Sequence, residues 1–162
     1  DVFGPVPSPD GKRLACGLGF GAAAVLSMER PDADPEVLPM VAEDQYFAIN
    51  SWSPDGLWLA GVAQLANGTS LPGIVIHSIA TGSYQRLNER GAMPVWLPDS
   101  RRLLYLDAGR IFLLDAGTRQ SRQLLAPPPG STFSHAGISP DGRHLYFVRS
   151  TDDGDIGLLT MN

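Results

Sequence analysis

The chain is poor in several things at once. It has one cysteine, Cys16, so it can form neither an internal disulfide nor a multi-cysteine metal cage, and its compartment, periplasm or cytoplasm, stays open. Basic residues number 12 against 17 acidic ones, for a net charge of −5. That excludes the global basic field that draws nucleic acid or an anionic membrane. The longest near-apolar run, Ala15 to Met28, is broken by glycines and falls short of the roughly 20 residues that span a bilayer. There is no G-x-S-x-G elbow for a hydrolase nucleophile. The three histidines, His77, His135 and His144, share no metal spacing such as H-x-x-x-H. No cofactor is expected.

Glycine and proline are abundant. The 162 residues include 18 Gly and 14 Pro, which argues against a helical bundle, since an interior Gly costs a helix about 1 kcal/mol and a Pro about 3. Much of this excess is periodic. Ser8-Pro9-Asp10-Gly11 returns as Ser53-Pro54-Asp55-Gly56, as Leu97-Pro98-Asp99-Ser100 and as Ser139-Pro140-Asp141-Gly142. The prolines are 45, 44 and 42 residues apart. Five positions after each stands a leucine, Leu14, Leu59, Leu103 or Leu145; two positions before stand Trp52, Trp96 and Ile138, with Pro7 in the first copy.

Each copy reads as short strands joined by hairpins. Pro presets φ at the turn's second position, Asp accepts nearby backbone N–H groups, and Gly takes positive φ. In the third copy Pro94 to Trp96 is extended, and Arg102 to Asp107, Ile111 to Asp115 and Arg122 to Leu125 are the strands that follow. The second copy puts strands at Leu59 to Ala63 and Ile74 to Ile79, separated by a longer region around Asn67-Gly68-Thr69, with Tyr84 to Leu87 outermost. The first copy runs Leu14 to Gly17, Ala23 to Met28 and Glu36 to Leu38. The fourth runs Leu145 to Arg149 and Ile156 to Thr160 and stops one strand short, a place that Asp1-Val2-Phe3 could fill.

Four strands per 40–45 residues is the period of a β-propeller blade. The copies resemble the WD40-like PD40 repeat of TolB-type propellers, carried here by Trp52-Ser53-Pro54-Asp55-Gly56 with Leu59-Ala60 and by Ser139-Pro140-Asp141-Gly142 with Leu145-Tyr146-Phe147. The resemblance spans nearly the whole chain. It implies an all-β fold, a β-propeller segment of about four four-stranded blades: blade one about 1–45, blade two 46–91, blade three 92–130 and blade four 131–162. The segment is expected to be an open arc of a larger propeller, with a closed four-bladed ring as the alternative. Such repeats occur in TolB, in the propellers of prolyl-oligopeptidase-type peptidases and in sensor regions of bacterial serine/threonine kinases. The implied role is a non-catalytic platform for a protein or peptide partner, with further blades or domains in the parent protein. The alternatives are a peptidase propeller without its hydrolase domain, and a propeller that binds a small ligand or carbohydrate.

Few residues in this repeat pattern carry chemical potential. Gly17-Leu18-Gly19-Phe20-Gly21-Ala22 fits G-x-G-x-x-A, but repeat phase makes it a hairpin between two strands rather than a dinucleotide loop. Pro9, Asp10, Pro54, Asp55, Pro98, Asp99, Pro140 and Asp141 are structural turn residues, since recurrence at one place in a repeat indicates turn capping. Asp152, Asp153 and Asp155 lack an EF-hand layout and read as a solvated hairpin tip. His144 is expected at an exposed strand position; His77 and His135 could each face the central channel. Charge is uneven: residues 1–55 carry net −6 and residues 84–126 net +3. Arg86, Arg90, Arg101, Arg102 and Arg110 are therefore the candidate binding surface, able to meet an acidic segment if they share a face. The longest inter-strand loop, Gln64 to Gly73, and the hairpin Thr151 to Asp155 are the other places to look.

Overall fold

In the computed structural model, which describes residues 2–151 and 155–160, all regular structure except one 3-10 turn is β-strand. Blade one holds β1 (Val2–Pro7), β2 (Arg13–Leu18), β3 (Ala23–Ser27) and β4 (Glu36–Val37). Blade two holds β5 (Gln45–Trp52), β6 (Trp58–Leu65), β7 (Ser70–Ser78) and β8 (Tyr84–Arg86). Blade three holds β9 (Ala92–Trp96), β10 (Arg102–Asp107), β11 (Arg110–Asp115) and β12 (Ser121–Leu125). Blade four holds β13 (Thr132–Ile138), β14 (His144–Ser150) and β15 (Asp155–Thr160). Each sheet is an antiparallel meander in chain order, with three strands in the fourth. The first strands pack side by side, β1 on β5, β5 on β9 and β9 on β13, so they converge on a common axis and the later strands radiate outward.

Two expectations need correction. Val2 and Phe3 do not complete blade four; they pair with Leu18 and Gly17 inside blade one, and Asp1 lies outside the described residues. The long region of blade two is not loop either. Its extra residues lengthen both strands, with Gln64 paired to Ser70, and the hairpin closes tightly at Ala66–Thr69 because Asn67-Gly68 supplies the turn: Gly68 takes φ +86 and Asn67 Oδ1 accepts the Thr69 N–H at 2.9 Å.

The repeated tetrapeptide is a hydrogen-bond clasp. In blades one, two and four the buried serine Oγ donates to the aspartate Oδ1 at 2.5 Å and accepts the backbone N–H of the residue five positions on at 2.9 Å. The same carboxylate accepts a second backbone N–H, from Lys12, Leu57 or Arg143. The glycine closes the turn onto the serine carbonyl at 2.9 Å with φ of +70, +76 and +71. Blade three has Leu97 where the others have serine. There Asp99 Oδ1 itself accepts the N–H groups of Arg101 and Arg102, at 3.0 and 2.9 Å. Ser100 replaces the glycine at φ +53, and its Oγ accepts the Asp55 N–H of the neighbouring blade at 3.0 Å.

Apolar packing lies between the blades. Ala15, Ala23 and Val25 of blade one meet Phe47, Trp52, Leu59 and Val75 of blade two. Ala60, Ile74 and Ile76 meet Trp96, Leu103 and Tyr105 of blade three. Leu104, Leu106 and Leu113 meet Phe133 and Leu145 of blade four. The recurrent leucine thus packs toward the preceding blade, and the residue after it toward the next. Polar links span the same seam between blades two and three, where Ser51 Oγ donates to the Pro94 carbonyl at 2.8 Å.

Candidate functional site

An antiparallel meander sends its turns alternately to two ends. The proline–aspartate turns, together with the connections between third and fourth strands, lie at one end of the arc. The hairpins between second and third strands, together with the blade-to-blade connections, lie at the other. This divides the candidate arginines. Arg101 and Arg102 stand at the turn end; Arg86, Arg90 and Arg110 stand at the hairpin end.

Most of these arginines are engaged within their own surroundings. Arg101 Nε lies 2.8 Å from Asp115 Oδ2, and Arg102 Nε 2.6 Å from Asp99 Oδ2. Backbone hydrogen bonds from Thr118 and the nearby Arg101 hold the Asp115 carboxyl below its ordinary value. At Asp99 burial opposes ionisation, but N–H donors of Arg102 and Arg101 and the Arg102 guanidinium outweigh it and lower the value. Arg86 Nη1 donates to the Pro72 carbonyl at 3.1 Å and lies 3.9 Å from Glu89. Arg90 faces Asp107 at 3.9 Å. Arg110 is exposed at the start of β11. The cations do not merge into one basic face.

The histidines differ from one another. His77 does not face the axis. It lies on β7, the third strand of its blade, 2% exposed, with its ring 4.6 Å from that of Tyr84 and 6.3 Å from that of Phe47. Its Nδ1 has no hydrogen-bond partner, and burial lowers its pKa against a smaller opposing pull from Glu36. His135 is exposed on β13, an innermost strand. His144 is half-buried at the start of β14, its Nδ1 4.0 Å from Asp141. Among the described residues no three His, Cys, Asp or Glu side chains are placed to hold a metal ion. Asp152 and Asp153 of the expected polar tip lie outside the described residues.

One recess lies at the hairpin end, between blades one and two. It is a cleft of about 470 Å³ floored by Phe47, Ala48 and Ile49 of β5 and walled by the Gly17–Ala22 segment and by Gln64 to Gly68. The glycine-rich segment is thus a hairpin with a 3-10 turn at Gly19–Gly21, followed by a strand rather than by the helix a dinucleotide loop requires. Its glycine at 21 is a structural necessity: φ is +87, and a Cβ would stand 3.2 Å from the Tyr46 ring. Among the described residues that line the cleft every one is neutral, and the polar side chains are the amides of Gln64 and Asn67. Sequence reasoning weighed both walls separately and missed that they meet; the signal available was that each is the second hairpin of its repeat.

The fold is shared with solved propellers. The putative TolB from Agrobacterium tumefaciens superposes at a TM-score of 0.54 with 18% identity, covering 99% of this chain and 77% of its own. The oligogalacturonate lyase of Vibrio parahaemolyticus matches at 0.70 with 15% identity, over 93% of this chain and 47% of the lyase. An oligogalacturonate lyase in complex with manganese matches at 0.72 with 14% identity, over 98% and 50%. This chain has the fold of a TolB-like β-propeller segment. At these identities the likeness is one of fold alone, and the segment spans about half the length of either lyase. No protein-family model matches it. Among the segment's described residues no helix is long and apolar enough to cross a membrane.

Proposed function

We propose that this propeller segment is a non-catalytic binding platform that receives a peptide stretch of a protein partner at its hairpin end, as part of a larger bacterial protein of the TolB-like or sensor kind. The observation that carries the reading is the cleft between blades one and two, which pairs an apolar floor with two side-chain amides and has no titratable group among its described lining residues. General acid–base or nucleophilic catalysis needs a titratable or nucleophilic side chain at the reacting atoms; recognition of a neutral extended backbone needs amide donors and acceptors beside apolar surface. Gln64 has both, on a rigid β-scaffold. Exposed Arg110, with Arg90 behind Asp107, stands at the same end and suits an acidic residue flanking the neutral stretch.

The lyase neighbours favour a second reading, a saccharide ligand. Oligogalacturonate is a polyanion, however, and no cation is among the cleft's described lining residues. Selection of a displayed peptide library on the purified chain tests the proposal. Bound peptides should lose roughly tenfold or more in affinity on Gln64→Ala, about what one lost hydrogen bond to a desolvated site removes, and an acidic flank should be selected and lost with Arg110→Glu. Cleavage of oligogalacturonate or of peptides by the chain itself would sink the non-catalytic reading.

A further inference from the structure

A repeat shows what each position does when its role is structural, so departures gathered in one place are informative. In the seam between blades one and two, the Arg13 guanidinium lies 5.0 Å from the centre of the Trp52 ring, and Trp52 Nε1 donates to the Gly56 carbonyl at 3.1 Å. The seam between blades two and three differs at all three places. Trp58 stands where blades one and three carry arginine and blade four histidine. Ser100 stands in the place of Gly56, and its Oγ accepts the Asp55 N–H. Trp96, in the place of Trp52, is 4% exposed, and its indole N–H has no hydrogen-bond partner. These three residues meet in one recess of about 340 Å³ at the turn end, opposite the cleft between blades one and two.

We infer that this recess binds one ring of a neutral saccharide. Its size falls within the range of small-ligand sites, roughly 300–1,000 Å³. Trp58 is half-buried and offers an indole face, whose negative potential suits the weakly positive C–H groups on the flat side of a pyranose. Beside it stand donors that lack acceptors: the Trp96 N–H, the Ser100 O–H and the Gln85 carboxamide, which makes no hydrogen bond among the described residues. Sugar hydroxyl and ring oxygens accept such bonds, and a hydroxyl can return one to the Gln85 carbonyl oxygen. A buried donor without an acceptor is rare in a folded protein, and a ligand oxygen removes the deficit. Arg101 also lines the recess, but its Nε is held 2.8 Å from Asp115 Oδ2. Its charge is thus matched inside the protein, which favours a neutral sugar over an acidic one.

Titration of the purified chain with glucose, galactose, mannose, N-acetylglucosamine and their disaccharides, with galacturonate as the acidic control, decides this. At least one neutral sugar should give a saturable change in tryptophan emission, since two of the three tryptophans line the recess. The same sugar should move the Trp96 indole N–H resonance. Trp58→Arg installs the residue that blades one and three carry, so it should keep the far-UV spectrum and melting cooperativity while lowering affinity at least tenfold. Gln85→Ala, at a half-buried position on β8, should also cost about tenfold. Peptide affinity at the hairpin end should be unchanged in both variants, which separates the two sites. Absence of saturable binding by every neutral sugar overturns the inference. So does binding that is indifferent to either substitution, that prefers galacturonate, or that leaves the Trp96 indole resonance unmoved.

Discussion

Ser53 Oγ sits fully buried and serves two partners, donating to Asp55 and accepting the Trp58 N–H. Truncation to alanine leaves that N–H unsatisfied and frees the carboxylate, so Ser53→Ala should lower stability by about 1–3 kcal/mol, read as a shifted urea midpoint at unchanged slope. Ser100 separates two effects that act together in the wild type. Ser100→Ala keeps the positive φ and loses the bond from the Asp55 N–H, whereas Ser100→Gly loses the same bond and relieves the backbone. Glycine should therefore be more stable than alanine by about 1 kcal/mol, measured by the same titration. His77 sets a pH dependence. Its buried ring resists protonation, so the unfolded chain binds the proton first and stability falls as pH drops through the unperturbed value of 6.5. His77→Phe should flatten that part of the curve. The clasp aspartates act lower down: hydrogen bonds from Ser8 and Ser139 lower the Asp10 and Asp141 values, so their contribution is present above the ordinary carboxylate range and lost beneath it.

At the scale of strands and hairpins, Gly21 guards the cleft wall. Gly21→Ala must adopt a strained φ and crowd the Tyr46 ring, so peptide affinity should fall together with about 1–2 kcal/mol of stability. A shift in melting temperature alongside the binding isotherm would separate this from Gln64→Ala, which should lose affinity alone. The turns and most strands were legible because each is written in local chemistry, Pro for φ, Asp for N–H groups and Gly for positive φ. Features that depend on tertiary pairing leave no such local signal. Nothing local in Gln64 to Gly73 reveals that the extra residues of blade two lengthen two paired strands. Val2 and Phe3 suit an outer strand of blade four equally well in sequence, and only the tertiary pairing with Leu18 and Gly17 assigns them to blade one. The cleft itself was illegible, since its walls come from segments more than 40 residues apart that only blade stacking brings together. The arginines looked like one patch for the same reason: an antiparallel meander sends neighbours in sequence to opposite ends.

Across the whole molecule, repetition explains the fold and the place of the proposed recognition surface. Inter-blade leucines seal three identical junctions, the turn clasps fix one end, and this leaves the hairpin end free to vary in length and composition without disturbing the packing. The proposed binding role belongs to that hairpin end, and amide chemical-shift mapping on the isotopically labelled chain with a selected peptide reads it out residue by residue. Saturable shifts are expected at Gly17–Gly21, Phe47–Ile49 and Gln64–Gly68 alone, with the turn clasps at Ser8, Ser53 and Ser139 unmoved. Shifts centred on those clasps, or on Arg101 and Arg102 at the turn end, would contradict it.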